Sequence, residues 1–253
     1  MPTRRSAALR DETDTLVAAA KRLSPDDDAT FGAAWPRLDD TARHRLHDAI
    51  ERLDPKHPWL NRMAAPDRLI ERDGERVRLR EPTLDDAPTV DAWRGDPRMI
   101  GEFNDFGLPK GRSLAENLAH GKRMVGPERG QLLVVRKADD VPIGDVSWHT
   151  VSYGPGERSR AFNIGVALIP EGRGQGFGSE AQRLLVELLF DLYDIERVEA
   201  STDIDNVAEQ RSLEKAGFTR EGVLRRAQFR AGTHHDLVSY SFVREDLDVS
   251  TAS

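Results

Sequence analysis

A glycine-rich segment between an apolar strand and a long amphipathic helix constrains this chain more than any other feature. It reads Ile169-Pro-Glu-Gly-Arg-Gly-Gln-Gly-Phe-Gly-Ser-Glu-Ala181. Closely spaced glycines let a backbone turn tightly with its N–H groups exposed, and a helix N-terminus adds partial positive charge. The segment therefore predicts an anion site suited to a pyrophosphate, with Arg173 adding a fixed positive charge at its edge.

Two common phosphate-binding motifs do not fit this segment. A P-loop requires a lysine after its last glycine, and the segment contains no lysine. In the dinucleotide motif G-x-G-x-x-G, Phe177 or Ser179 would stand at the third glycine position. The pattern that remains is R-x-x-G-x-G, from Arg173 to Gly178. A glycine-rich turn between two packed elements, without a ligand, is the competing interpretation.

The chain changes its pattern near Pro66. Before that residue, apolar residues recur at helical spacing and no strand pattern is present. After it, strands and helices alternate, starting with a hairpin that turns at Asp73-Gly74 and ending with one that turns at Ala231-Gly232. We expect residues 1–65 to form an all-helical extension, residues 66–248 to form an α/β domain, and residues 249–253 to form a disordered tail.

The composition excludes several classes of protein. With no cysteine, the chain has no disulfides, no cysteine-ligated metal and no thiol nucleophile. Its 44 acidic and 37 Lys and Arg residues give a net charge of −7, which argues against nucleic acid as a partner. The longest apolar runs are far below the roughly 20 residues of a membrane span, and no signal peptide is evident, so we expect a cytoplasmic protein without a membrane partner. His44 and His47 are spaced as a metal pair, but without a third ligand a solvated helix face and no metal are expected.

The glycine loop resembles the pyrophosphate loop of the GNAT superfamily of N-acetyltransferases, which bind acetyl-CoA there. About thirty residues further on, the segment Asp203-Ile-Asp-Asn206 to Leu213-Glu-Lys-Ala-Gly-Phe218 is similar to the D-x-x-N-x-x-S-x-x-x-L-E-K-x-G-F signature of the RimJ/RimL-like, ribosomal-protein-alanine branch. The stretch from Val77 to Asp86 resembles that branch's first strand and turn, and Asn163-Ile-Gly165 resembles its fourth strand. The resemblance covers residues 68–246 and leaves residues 1–65 outside.

The resemblance implies a mixed α/β fold with a twisted sheet, helices on both faces, and a splay between its fourth and fifth strands. The pantetheine arm of acetyl-CoA would enter that gap and pair with the exposed strand backbone, and the pyrophosphate would lie on the glycine loop. The residues implied to contact CoA are Val166, Ala167, Leu168, Arg173, Gly174, Gln175, Gly176, Phe177, Gly178, Ser179, Asn206 and Arg211. For Arg211 and its neighbour Lys215, an ordinary solvated helix charge is the competing interpretation.

Family chemistry is direct transfer, in which an amine attacks the thioester carbonyl and the CoA thiolate leaves without an acyl-enzyme. The absence of cysteine fits this route. The resemblance implies that a strand backbone N–H, at Val166, holds the oxyanion. The chain departs from the family pattern where acid and base are usual, because the glutamate, serine and tyrosine positions hold Asn163, Glu209 and Leu213.

Several residues are candidates to replace the missing acid and base. Glu209 occupies the position nearest the sulfur, and Glu102 lies where the family places its substrate-capping helices. The other candidates are Glu199, Asp203, Asn104, Asp105, Trp148, His149, His234 and His235. A loop charge or a hydrogen-bonded polar group is the plainer interpretation of each one, but acidic groups on the acceptor side together favour a cationic amine.

The sequence thus predicts an acetyl-CoA-dependent N-acetyltransferase that acts on a primary amine, either a small molecule or a protein N-terminus. The missing family residues motivate one alternative, an acyl-CoA-binding module without turnover. Transfer of a larger acyl group is another alternative. For the helical extension, three roles stay open: capping of the acceptor site, formation of a homodimer, and binding of a partner.

Overall fold

The computed structural model describes residues 4–22, 25–55, 57–61, 70–94, 96–107, 111–119 and 124–249. It divides into two compact units. The first comprises Met1–Ile70 with Asp191–Asp194, and the second comprises Glu71–Phe190 with Ile195–Ser253. The predicted domain boundary at Pro66 lies outside the described residues.

The first unit is helical, as the sequence predicts. Its helices are α1 (Arg4–Ala20), α2 (Pro25–Ala34) and α3 (Asp40–Leu53). The carboxylate of Asp39 caps α3 by accepting from the Ala42 N–H at 2.9 Å. Leu46 and Ile50 of this helix are fully buried in an apolar cluster, in which the rings of Phe31 and Trp59 stack 4.7 Å apart.

The prediction that His44 and His47 lie on a solvated helix face is wrong for His44, which is only 3 % exposed. The helix α3 is covered on more than one side, since Asp48, one turn further on, is 1 % exposed. The Tyr193 hydroxyl donates to the Asp48 carboxylate at 3.1 Å. Tyr193 belongs to the segment Asp191–Asp194 of the same unit, and pattern reasoning on residues 40–53 has no access to so distant a partner.

The second unit is built on one mixed sheet of eight strands. The strands are β1 (Glu71–Asp73), β2 (Val77–Arg80), β3 (Arg129–Arg136), β4 (Val141–Ser152), β5 (Arg160–Leu168), β6 (Arg197–Asp203), β7 (Thr219–Arg230) and β8 (Thr233–Val243). Their order is β1-β2-β3-β4-β5-β6-β8-β7. Only the β5–β6 pair is parallel, so the predicted mixed sheet is confirmed.

Helices cover both faces of this sheet. They are α4 (Ala87–Trp93), α5 (Pro97–Ile100), α6 (Leu114–Ala119), α7 (Phe177–Leu192), α8 (Val207–Ala216) and α9 (Asp246–Val249). Four successive β3 residues, from Leu132 to Val135, are at most 1 % exposed. Because successive side chains of a strand point to opposite faces, this run requires cover on both sides. On one face, Leu133 and Val135 pack in a cluster with Val90 of α4 and Leu114 of α6.

The final hairpin is longer than predicted. Sequence patterns indicate strands only at residues 229–230 and 236–243, whereas β7 and β8 span Thr219–Arg230 and Thr233–Val243. The strand β7 is the edge of the sheet and is largely exposed, so it lacks the apolar alternation by which a strand is detected. Similarly, α9 extends to Val249, the first residue of the predicted disordered tail, and the Asp246 carboxylate accepts from the Val243 N–H at 2.9 Å.

The sheet splays between β5 and β6. These strands pair only at Phe162 with Val198 and at Asn163 with Glu199. Beyond Asn163, β5 keeps its antiparallel partner β4 as far as Leu168, while β6 diverges. These two strands are the fourth and fifth of the implied family fold, so the predicted splay is confirmed. Within the described ranges, every helix is too short or too polar to cross a membrane.

Candidate active site

The exposed backbone of β5 forms one wall of the gap. The Ile169 N–H donates to the Ile143 carbonyl at 2.9 Å, in continuation of the β4 pairing. Because backbone direction alternates along an antiparallel strand, Val166 and Leu168 turn their N–H and C=O groups away from β4. Gly165 is exposed and Val166 is half-buried, although both lie in the middle of the sheet. The gap therefore offers unpaired strand groups, as the predicted pseudo-strand pairing requires.

The glycine loop follows the end of β5 and leads into α7. Gly174 and Gly176 adopt positive φ angles of 71° and 84°, which glycine adopts without the steric cost that other residues have. In the part of the chain that the structure describes, the backbone N–H groups from Gly174 to Ser179 have no hydrogen-bond acceptor. Unpaired N–H groups at a helix N-terminus form an anion site, and this geometry fits a pyrophosphate.

Arg76, from the β1–β2 turn, also lies at this loop. Its guanidinium donates to the Gln175 carbonyl at 2.8 Å and stacks 4.4 Å from the centroid of the Phe177 ring. The contact spans 99 residues of sequence. In the sequence, Arg76 is one charge among many in a hairpin turn, so no local signal points to it.

Arg173 braces the loop against α5. Its Nε donates to the Leu168 carbonyl at 2.9 Å, and its Nη2 donates to the carbonyls of Arg98 and Met99 at 2.7 and 3.1 Å. The predicted positive charge thus lies at the edge of the loop, held by three backbone carbonyls. This one side chain joins the end of β5 to helix α5.

A chain of hydrogen bonds links the start of α7 to α8. The Ser179 and Ser212 hydroxyls are 3.2 Å apart, and the Ser212 hydroxyl donates to the Gln182 side-chain carbonyl at 3.0 Å. The Gln182 amide in turn donates to the Glu209 carboxylate. Asn206 caps α8 by accepting from the Glu209 N–H at 3.3 Å. These contacts hold Glu209 in the first turn of α8.

The environment of Glu209 changes its acidity. Burial penalises the charged carboxylate and raises the pKa of Glu209 to about 7, although the hydrogen bond from Gln182 acts in the opposite direction. A carboxyl group with this pKa exchanges its proton near neutral pH. It can therefore donate or accept a proton during a reaction.

A cavity of about 360 Å³ lies on the face of the sheet that α4 and α6 cover. Its floor includes Asp145 and Ser147 of β4 and the segment from Gly165 to Ala167 of β5. Val166 therefore belongs both to this cavity and to the wall of the gap.

Asp145 is the functional candidate that sequence reasoning missed. It lies opposite Ala167 in the β4–β5 register. Burial raises the pKa of Asp145 to about 6, while a hydrogen bond from Gln131 opposes that shift. A usable signal existed, because Asp145 and Ser147 are polar residues at alternating positions in the otherwise apolar stretch from Val141 to Trp148.

The remaining candidates lie in different surroundings. Glu199 accepts from the Tyr153 hydroxyl and from Arg197 at 3.2 Å, and Asp203 is buried in an ion pair with Arg230. Trp148, another of the candidates, is buried in the core and is only 2 % exposed. Asn104 lines the cavity, and Asn163 lies where the gap begins. Other predicted site residues are exposed to solvent: Glu102, Asp105, His149, His234 and Arg211.

This geometry agrees with a comparison against protein families. A family model described as "Acetyltransferase (GNAT) domain" matches residues 76–219. The chain belongs to this family. As a GNAT acetyltransferase, it is an acyl-CoA-dependent enzyme, and the unpaired N–H groups of the loop and the exposed β5 backbone fit a CoA donor.

Individual relatives support the assignment. The chain is similar to the uncharacterized N-acetyltransferase YoaA of Bacillus subtilis, with 35% identity over 67% of this chain and 94% of YoaA. In fold it is similar to Mycobacterium smegmatis RimJ, solved in complex with a CoA-disulfide, with 19% identity, a TM-score of 0.53 and coverage of 68% of this chain and 83% of RimJ.

A third similarity in fold is to the microcin C7 self-immunity acetyltransferase MccE, solved in complex with acetyl-CoA and AMP. It has 20% identity, a TM-score of 0.53 and coverage of 67% of this chain and 93% of MccE. The family model thus confirms the predicted GNAT membership, and the similarity in fold to RimJ agrees with the predicted RimJ/RimL-like resemblance.

Proposed function

We propose that this GNAT acetyltransferase transfers the acetyl group of acetyl-CoA directly to a primary amine, which belongs to a small molecule or to a protein N-terminus. The observation that carries the proposal is the position of Val166. It lies in the wall of the splayed gap and in the wall of the cavity. A donor in the gap and an acceptor in the cavity would meet at this residue, as a ternary-complex mechanism requires.

The loop and its arginines hold the donor in this mechanism. Backbone N–H groups from Gly174 to Ser179 bind the pyrophosphate, and Arg76 and Arg173 add positive charge at the two sides of the loop. In the described structure both arginine side chains donate to backbone carbonyls, and neither forms a salt bridge with a carboxylate. Their positive charges are therefore not neutralised there. Arg211, exposed on α8, and Asn206, at the start of that helix, extend the donor site.

Val166 and Glu209 serve the reacting atoms. The Val166 N–H points away from β4 into the gap, where it stabilises the negative oxygen that forms when the amine attacks the thioester carbonyl. Glu209, with its pKa raised to about 7 by burial, supplies a proton to the CoA sulfur as it leaves. Asn163 cannot take up a proton, so its role is to position groups at the entrance of the gap, and Glu102 contributes negative charge on the acceptor side.

Release of free CoA thiol tests the proposal. The full chain is incubated with acetyl-CoA and a panel of primary amines, small molecules and N-terminal peptides together, and thiol is measured with a chromogenic disulfide. We expect turnover with a subset of the amines. CoA binding without turnover on any of them would instead identify an acyl-CoA-binding module, and preference for longer acyl-CoA donors would identify a larger acyl substrate.

The donor site has its own test, the substitution Gly176→Val. We expect the affinity for CoA to fall at least 100-fold by calorimetry, about 2.7 kcal/mol, because the positive φ of Gly176 strains any other residue and a side chain there blocks the loop N–H groups. The matched control is Gly156→Val, since a Cβ at Gly156 meets no atom within 4 Å. Unchanged affinity in Gly176→Val would contradict the loop assignment.

A further inference from the structure

Asp145 is a carboxylate on the cavity wall with an amide as its hydrogen-bond partner. Gln131 of the neighbouring strand supplies that hydrogen bond. Among the residues that the structure describes, no lysine, arginine or histidine forms a salt bridge with Asp145. A half-buried carboxylate without a cation is costly to maintain, because one amide does not replace the hydration that burial removes. Within the described part of the cavity, the Asp145 carboxylate is thus a negative charge without a compensating cation.

Apolar side chains form the larger part of the other cavity walls that the structure describes, and polar groups, Asn104 and Asn117 among them, form the rest. Trp93, Met99 and Leu114 line it from the three short helices above the sheet. Arg94 also reaches the cavity, but its guanidinium donates to the Gly111 carbonyl. A ligand that fits has an apolar body and one cationic end directed at the β4 strand. The volume of about 360 Å³ is within the range of small-molecule sites, roughly 300–1,000 Å³.

We propose that this cavity is the acceptor site and that Asp145 binds the ammonium group of a primary amine on an apolar skeleton and removes its proton. This inference rests on the proposed function and names the acceptor class and the base for it. It assigns the base role to a residue on β4, one strand away from the position where the chain has Asn163.

Each proton in the step has a destination. The acceptor ammonium gives its first proton to the Asp145 carboxylate, which passes it to solvent after the turnover. The free amine nitrogen then forms a bond to the thioester carbonyl carbon, the C–S bond breaks, and the second nitrogen proton leaves as the amide forms. That proton, delivered through Glu209, neutralises the CoA thiolate. The products are an acetamide, CoA thiol and one proton.

The position and the acidity of Asp145 suit this role. It lies opposite Ala167 and lines the cavity together with Val166, so an amine held by Asp145 lies beside the β5 backbone. Burial raises the pKa of Asp145 to about 6. The group is therefore ionised at neutral pH and is a stronger base than an exposed aspartate, whose pKa is about 3.9.

The test is Asp145→Asn, with Asp139→Asn as the matched control on the exposed turn before β4. We expect Asp145→Asn to lower kcat/KM for the amine by about 100- to 10,000-fold, the usual contribution of a general base, with little change in CoA affinity. The rate of Asp145→Asn should recover as the pH approaches the acceptor's own pKa, because a free amine no longer needs a base. Asp139 pairs with Arg136 at 2.7 Å, and its change should leave the rate unaltered.

A second variant keeps Asp145 in place. In Gln131→Leu the hydrogen bond that favours the carboxylate is lost, so the acidic limb of the kcat/KM profile should move to higher pH. If Asp145→Asn keeps the wild-type rate and pH profile, or Gln131→Leu leaves the acidic limb where it was, the inference fails while the proposed function stands. If the wild-type chain acetylates no amine, the proposed function fails first, and the inference falls with it.

Discussion

The raised pKa of Glu209 makes a thermodynamic prediction that is independent of any substrate. Burial lifts this pKa from 4.5 to about 7, so the folded chain retains the proton to higher pH than the unfolded chain. Between these two values the folded state binds more protons, and stability falls as the pH rises. Replacing the carboxyl group by an amide in Glu209→Gln removes this penalty, because the amide mimics the protonated acid.

The expected magnitude follows from the shift. One pKa unit corresponds to 1.36 kcal/mol, so a shift from 4.5 to about 7 costs the ionised state about 3 kcal/mol. The free energy of unfolding of Glu209→Gln should therefore match the wild type at pH 4. It should exceed the wild-type value increasingly from pH 4.5 and reach an advantage of about 3 kcal/mol above pH 7. The amide oxygen of the new residue can still accept from Gln182, so packing is retained.

Urea denaturation at pH 4, 5, 6, 7 and 8, followed by circular dichroism, measures this difference. Asp145 titrates in the same direction in both proteins, so its contribution cancels when the two curves are subtracted. The control is Glu75→Gln, because Glu75 is exposed on the β1–β2 turn and its change should give no pH-dependent difference. A Glu209→Gln advantage that stays constant from pH 4 to pH 8, or that shrinks as the pH rises, would refute the reasoning.

Two further predictions concern the supports of the site. A Cβ at Gly144 would lie 2.1 Å from the Ala167 carbonyl oxygen. The substitution Gly144→Ala should therefore destabilise the sheet by roughly 1–3 kcal/mol and displace Asp145, whereas the control Gly156→Ala should do neither. Equal melting temperatures of the two variants in scanning calorimetry would contradict this prediction. The substitution Arg173→Lys keeps the positive charge but loses the branched guanidinium that joins β5 to α5. In steady-state kinetics, KM should therefore rise more for the amine than for acetyl-CoA. An equal rise in both KM values would indicate a purely electrostatic role of Arg173.

Some features of the fold follow from the local sequence. Tight turns need glycines at particular positions, so Asp73-Gly74, Ala231-Gly232 and the glycines of the loop all appear where the structure turns. The splay between β5 and β6 could be predicted because the glycine loop and the motifs around it resemble those of the GNAT family. The strand β7 was largely missed, because an exposed edge strand carries little apolar signal.

The candidate site divides in the same way. The glycine loop and Glu209 could be named from the sequence, since both lie in short continuous motifs. Arg76 and Asp145 could not, because their roles depend on partners far away in the chain: Gln175 and Phe177 for Arg76, and the β5 segment for Asp145. The pKa values of Glu209 and Asp145 are likewise consequences of burial.

The sequence by itself therefore determined the backbone geometry of the anion loop, the alternation of strands and helices, and the family. These depend on the conformational preferences of neighbouring residues and on motifs of fixed spacing. Only the tertiary structure decided which side chains surround the reacting atoms, that Trp148 and His44 are buried, and that one carboxylate faces the cavity without a described cation. Burial and charge balance depend on contacts between distant segments, which no local pattern encodes.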